Sequence, residues 1–143
     1  MSIIVAIADA IVDELSSNAF STSFTVRRAY LPEYHLSRQQ GLLVTGGPRE
    51  AEITNGERSR QQRDYSVEIG VQAKVDANDL EAIDGLMTFV EEIGNHLHNK
   101  RRLEGSCCAV CLTVQQTYLY MPGELEQQGV FTSVLTAIYR ALE

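Results

Sequence analysis

The sequence predicts an α+β domain: a mixed, mostly antiparallel sheet of about four to five strands, packed by two main helices. Three observations predict it. Residues 2–16 and 78–97 repeat apolar side chains at helical spacing. Several other stretches alternate apolar and polar residues at the two-residue period of a strand. No linker or composition break divides the 143 residues, so 1–143 reads as a single domain.

The elements follow in order. Ile4, Ile7, Ile11 and Leu15 share one side of a first helix, with Asp9, Asp13 and Glu14 mostly on the other. Phe20, Thr22, Phe24, Val26, Arg28 and Tyr30 alternate as a strand over 20–30, ended by Pro32. Residues 42–45 read as a short buried strand, stopped by Gly46-Gly47-Pro48. Residues 49–63 carry seven charges and only Ala51 and Ile53 as apolar side chains, so they read as a protruding polar arm. That arm is either a loop or a hairpin turning at Asn55-Gly56.

The clearest strand comes next. Tyr65, Val67, Ile69, Val71, Ala73 and Val75 share one face, and Asp64, Ser66, Glu68, Gln72 and Lys74 the other. At about 3.3 Å per residue it spans roughly 36 Å. A chain of this length has an expected radius of gyration of only about 14.5 Å. The strand therefore crosses the domain or projects beyond it, as one side of the arm.

Asn78, with Glu81 three residues on, signals the start of the second helix. Its apolar stripe is Leu80, Ile83, Leu86, Met87, Val90, Ile93 and Leu97. A strand over 107–115 follows, with Cys108, Val110, Leu112 and Val114 on one face. Residues 130–139 are apolar on both faces, as in an interior strand or one buried in an assembly.

Composition narrows the function. At 44% hydrophobic and 22% charged, the chain is an ordinary globular protein and not a disordered one. A net charge of -7 argues against a dedicated nucleic-acid binder. The charge is uneven: residues 1–63 balance to zero, and the whole excess falls after residue 63. Asp76, Asp79, Glu81, Asp84, Glu91 and Glu92 lie together with no Lys or Arg among them. No apolar run approaches the roughly 20 residues of a membrane helix. The acidic N-terminus lacks the basic start of a signal peptide.

No catalytic, cofactor or metal set emerges. His96, His98, Cys107, Cys108 and Cys111 include a C-x-x-C, but residues three apart on a strand point to opposite faces. Small buried thiols in a reducing compartment are the simpler reading. Nothing near these thiols lowers a thiol pKa or forms an oxyanion loop, so a Cys nucleophile with a His base is disfavoured. Asp84 and Glu91 lie on one side of the second helix, but a run of acids usually marks a solvated face. Gly46-Gly47-Pro48 lacks the Lys-Ser/Thr of a phosphate loop. The unusual features are architectural: a long strand, a polar arm and a sheet with two apolar faces.

Several segments, in this order, carry a family likeness. They are the starting helix, Val26-Arg27-Arg28-Ala29-Tyr30-Leu31-Pro32, the Leu43-Val44 strand ending in Gly-Pro, and the Arg-rich loop into Asp64-Tyr65-Ser66-Val67-Glu68-Ile69-Gly70-Val71-Gln72. Asp84-Gly85-Leu86-Met87 and the closing strand Gly129 to Arg140 complete it. On these the chain resembles the tail terminator and neck (head-to-tail joining) proteins of long-tailed bacteriophages, over nearly its whole length. The three-Cys cluster is not part of that pattern.

The resemblance implies a structural virion subunit at the head-tail junction, made in the host bacterial cytoplasm. Copies would close into a ring of six that caps the tail tube, ends its polymerisation and meets the head connector or stopper protein. Genomic DNA would pass through as cargo. The alternative in the same class is another neck component, a head-completion or stopper protein. A small metal- or thiol-dependent enzyme is the alternative from another class. The candidate subunit-interface arm is Arg49, Glu52, Glu57, Arg58, Arg60 and Arg63. The candidate channel-facing acids are Asp79, Asp84 and Glu91, which would repel a sliding duplex.

Overall fold

Ile7, Ile11 and Leu15 recur every four residues, so a helix aligns them in one stripe, and all three are buried. That helix is α1 (Ile3–Ser16). The computed structural model describes residues 2–29, 42–55, 61–76, 78–100, 109–118 and 129–142. After α1 come β1 (Thr25–Arg28), β2 (Leu43–Asn55), β3 (Gln61–Lys74), α2 (Leu80–Asn99), β4 (Val110–Tyr118) and β5 (Val130–Leu142). The α+β class, with a five-stranded mixed sheet and two helices, is as expected.

The sheet order is β1-β2-β3-β5-β4. β1 runs parallel to β2, and every other pair is antiparallel. β3 pairs with the whole of β5, from Gln62 opposite Leu142 to Lys74 opposite Val130. Both helices bury their apolar stripes on one sheet face. There Ile7, Ile11 and Leu15 of α1 and Phe89, Val90, Ile93 and Leu97 of α2 form one core with Tyr65, Val67, Ile69 and Val71 of β3 and Phe131, Leu135 and Tyr139 of β5. α1 packs on β1, β2 and β3, and α2 on β4 and β5. Among the described residues no helix is long and apolar enough to cross a membrane.

Several local expectations need correction. The strand expected over 20–30 is only Thr25–Arg28. Phe20 and Phe24 alternate for another reason: both rings pack on Phe89, at centroid distances of 6.0 and 5.2 Å. Gly46-Gly47-Pro48 does not stop β2, which runs through it to Asn55. The pairing with β1 ends at Gly46, and the ladder to β3 is irregular between Pro48 and Glu50. A residue without an N–H is tolerated at an unpaired edge or a bulge, and Pro48 has both.

Residues 49–55 and 61–63 are the stem of the β2–β3 hairpin, so of the two forms open to the arm the hairpin is the one adopted. The stem is less isolated than an arm would be, because β5 flanks it as far as Gln62. The helix cap is Asp79, whose carboxylate accepts from the Ala82 N–H at 3.2 Å, and not Asn78. Leu80, placed in the apolar stripe, is 70% exposed. In β4 the register shifts between Cys111 and Thr113, which turns Cys111 to the core opposite Tyr139 and leaves Leu112 exposed. The alternation through Val110, Leu112 and Val114 is broken there. Cys107 and Cys108 lie outside the described residues.

The sheet's other face is the main departure. Gln72, placed on the strand face with Asp64, Ser66, Glu68 and Lys74, is 2% exposed, and Thr45, Thr132 and Thr136 beside it are also buried. β5 is thus buried on both faces, as its sequence predicts.

Candidate functional site

Two surface features and two side-chain clusters are the candidates. The first surface is the hairpin stem. Glu50, Ala51, Glu52, Ile53 and Thr54 all expose their side chains, Ile53 at 57%. Beyond Gly46 the outer edge of β2 has no strand partner among the described residues. Of the expected interface residues, Glu52 faces Asp64 across the ladder, and Arg63 faces Ile53. Glu57, Arg58 and Arg60 lie outside the described residues. Arg49 turns back onto its own sheet: its Nε is 3.6 Å from Glu68 Oε2, and its Nη1 donates to Thr136 Oγ1 at 3.4 Å.

The second surface is the acidic side of α2. Asp79, Asp84 and Glu91 are all exposed. Asp79 also serves the helix as its cap. Glu91 borders a shallow groove between α2 and β4 that His98 and Gln116 also line.

The first cluster joins the C-terminal ends of the two helices. Glu14 of α1 accepts from Lys100 Nζ at 2.6 Å, stands 3.3 Å from His96 Nε2, and accepts from the Asn18 amide. Its side chain is 11% exposed. Lys100 holds the Glu14 carboxyl below the usual carboxylate range, against the opposing effect of burial; His96 adds to the lowering. Phe20 lies edge-on to His96 at 5.6 Å, and the Ser21 N–H donates to Glu92 Oε2 at 3.0 Å. Below the cluster, burial, then the Cys111 thiol, pushes the Tyr139 phenol far above its ordinary value. These contacts lock α1, the 17–24 segment and α2 together; they offer no open site.

The second cluster sits in a groove of about 250 Å³ on the face away from the helices, bordered by Thr45, Arg49, Glu68, Gly70 and Gln72. Gly70 forms its floor: a Cβ there would lie 2.9 Å from Thr45 Oγ1. Gln72 Oε1 is buried with no hydrogen-bond partner.

The metal candidates separate. His96 pairs with Glu14, His98 is exposed, and Cys111 is buried. Among the described residues no three His, Cys, Asp or Glu side chains are grouped to hold a metal ion. Sequence reasoning missed both side-chain clusters. Glu14 read as part of the side of the first helix away from its apolar stripe, and Gln72 as part of the strand face opposite Tyr65. Compared with protein-family models and with curated proteins, the chain matches none.

Proposed function

We propose that the chain is a structural virion subunit of the head-to-tail joint, a tail terminator first and another neck component second. Copies close into a ring, six-fold in the family it resembles, that caps the tail tube and meets the head connector or stopper, with DNA passing through.

The observation that carries this reading is the hairpin stem. From Gly47 to Asn55 the outer edge of β2 is unpaired among the described residues and presents the exposed Ile53. An edge of that length offers backbone donors and acceptors to another chain. The sheet's opposite edge is β4, which exposes Leu112. Two unlike edges at opposite ends suit a head-to-tail contact, the kind that closes into rings. The acids of α2 suit a wall that DNA slides past without sticking.

Native mass spectrometry with negative-stain images tests the ring, and a capping assay on purified tail tubes tests the position. A closed ring with a central hole that blocks tube growth is expected. Free dimers that neither close nor bind tubes would overturn the reading. Rings that bind DNA-filled heads but not tubes would move the chain to the head-completion role.

A further inference from the structure

We infer that two copies of the chain pair edge to edge about a two-fold axis, β1 of each filling the open edge beside the hairpin stem of the other. The inference does not rest on ring formation. Where rings form, the same stem serves both contacts, so the pair is a waiting form that opens before the ring closes.

The edge is stepped. β1 covers β2 only from Leu43 to Gly46, and the stem beyond it stands back by one strand. Among the described residues β1 is the last strand on that side, with Thr25, Arg27 and Arg28 exposed. A two-fold axis normal to the sheet places each projecting β1 in the recess of the other copy. Because β1 runs parallel to its own β2, it then runs antiparallel to the second copy's stem.

Face and hydrogen-bond phase select the register. The Thr25 and Ala29 N–H groups donate to the Leu42 and Gly46 carbonyls, so Val26 and Arg28 turn their backbone groups outward. The same alternation, carried from β2 along β3, turns Ala51 and Ile53 outward on the stem. Opposing Val26 to Ile53 and Arg28 to Ala51 joins these groups. It also sets Arg27 against Glu52 and Thr25 against Thr54 on the face away from the helices, in the pairs where side chains lie closest. One register thus matches apolar with apolar, hydroxyl with hydroxyl and cation with anion, and the two-fold axis repeats it. Gly47 to Glu50, with Pro48 lacking an N–H, fall between the two ladders.

The tests are sedimentation velocity of the full chain up to about 0.5 mM, as suits a small interface, and disulfide trapping. A concentration-dependent dimer is expected. Thr25→Cys and Thr54→Cys, made in separate chains and mixed, should cross-link between copies, as peptide mapping reads. Thr25→Cys mixed with Glu50→Cys, out of register, should not. Arg27→Glu and Glu52→Arg should each weaken dimerisation about tenfold with the melting temperature held, and the two together should restore it. Three results would each overturn the pair. They are monomer alone or ring alone throughout that range, equal trapping at Glu50→Cys, or a double exchange no tighter than the single ones. Trapped dimers that never form rings would uphold the pair and count against the ring.

Discussion

Arg140 grips Asp64 directly across the β3–β5 ladder, with Nε donating to Oδ1 at 2.8 Å and Nη2 to Oδ2 at 3.0 Å. The pair lies near the hairpin stem, where Asp64 also faces Glu52 on β2. Arg140 therefore offsets two acids that stand opposite one another. The Asp64 hydrogen bond also raises the guanidinium's already high pKa.

The pair is well aligned but partly wet, with side chains 38% and 22% exposed, so its worth is small and salt-dependent. Arg140→Ala and Asp64→Ala should each lower the melting temperature by no more than a few degrees. In a double-mutant cycle the coupling should fade as salt rises to about 1 M, where the Debye length is about 3 Å. Coupling that persists unchanged at high salt would show that the pair is sheltered.

Glu14 predicts an acid limb. Its folded-state pKa is depressed by Lys100 and His96, so its contribution is present above the ordinary carboxylate pKa. That contribution is lost as pH falls through the folded value. Glu14→Gln should cost about 1 kcal/mol near neutral pH. The difference from the parent should shrink below the ordinary carboxylate range. Urea unfolding at a series of pH values reads both; a difference that is flat from neutral to acid would refute the pairing as its source.

The start of α2 separates two neighbours. Asp79 caps the helix through Ala82, whereas Asn78 contributes backbone groups alone: its N–H donates to Asp76 Oδ1 at 2.9 Å and its carbonyl accepts from the Leu80 N–H at 3.2 Å. Asp79→Ala should cost about 1 kcal/mol. Asn78→Ala should cost less than about 0.5 kcal/mol, as for an ordinary surface change. Denaturant midpoints measure both, and the reverse order would restore Asn78 as the cap.

The cap error shows what is legible in such a chain. Asn78 and Asp79 are both good capping residues, and only the backbone angle at entry chooses between them. Strong periodicity gave no such trouble: α1, β3 and β5 follow directly from their spacing. Gly46-Gly47-Pro48 was illegible as strand because its tolerance depends on where β1 ends, a tertiary fact. The bulge at Cys111–Thr113 likewise re-aims a face that simple alternation misassigns. The groove had one faint signal. Around Gln72 its face carries Thr45, Thr132, Val134 and Thr136, uncharged residues where a fully solvated sheet would more often show Lys and Glu. Nothing in the linear pattern brings Glu14 to His96, 82 positions away.

The hairpin stem yields the sharpest test of assembly. Side chains 50–54 are exposed, so deleting 50–62 removes no buried side chain among the described residues. Val67 and Ile69 remain paired to β5 and packed in the core, whereas joining Arg49 to Arg63 draws Asp64 and Tyr65 out of the ladder to close the new turn. The deletion should leave a folded subunit that melts below the parent, because Tyr65 loses its place in the core, and that no longer forms rings in mass photometry or electron microscopy. Ile53→Lys should weaken ring formation more mildly, since it removes one exposed apolar contact and keeps the backbone edge. Parent-like rings from the deletion would sink the stem as the interface. Loss of the fold itself would show that the flanking strand β5 depends on the stem for its register.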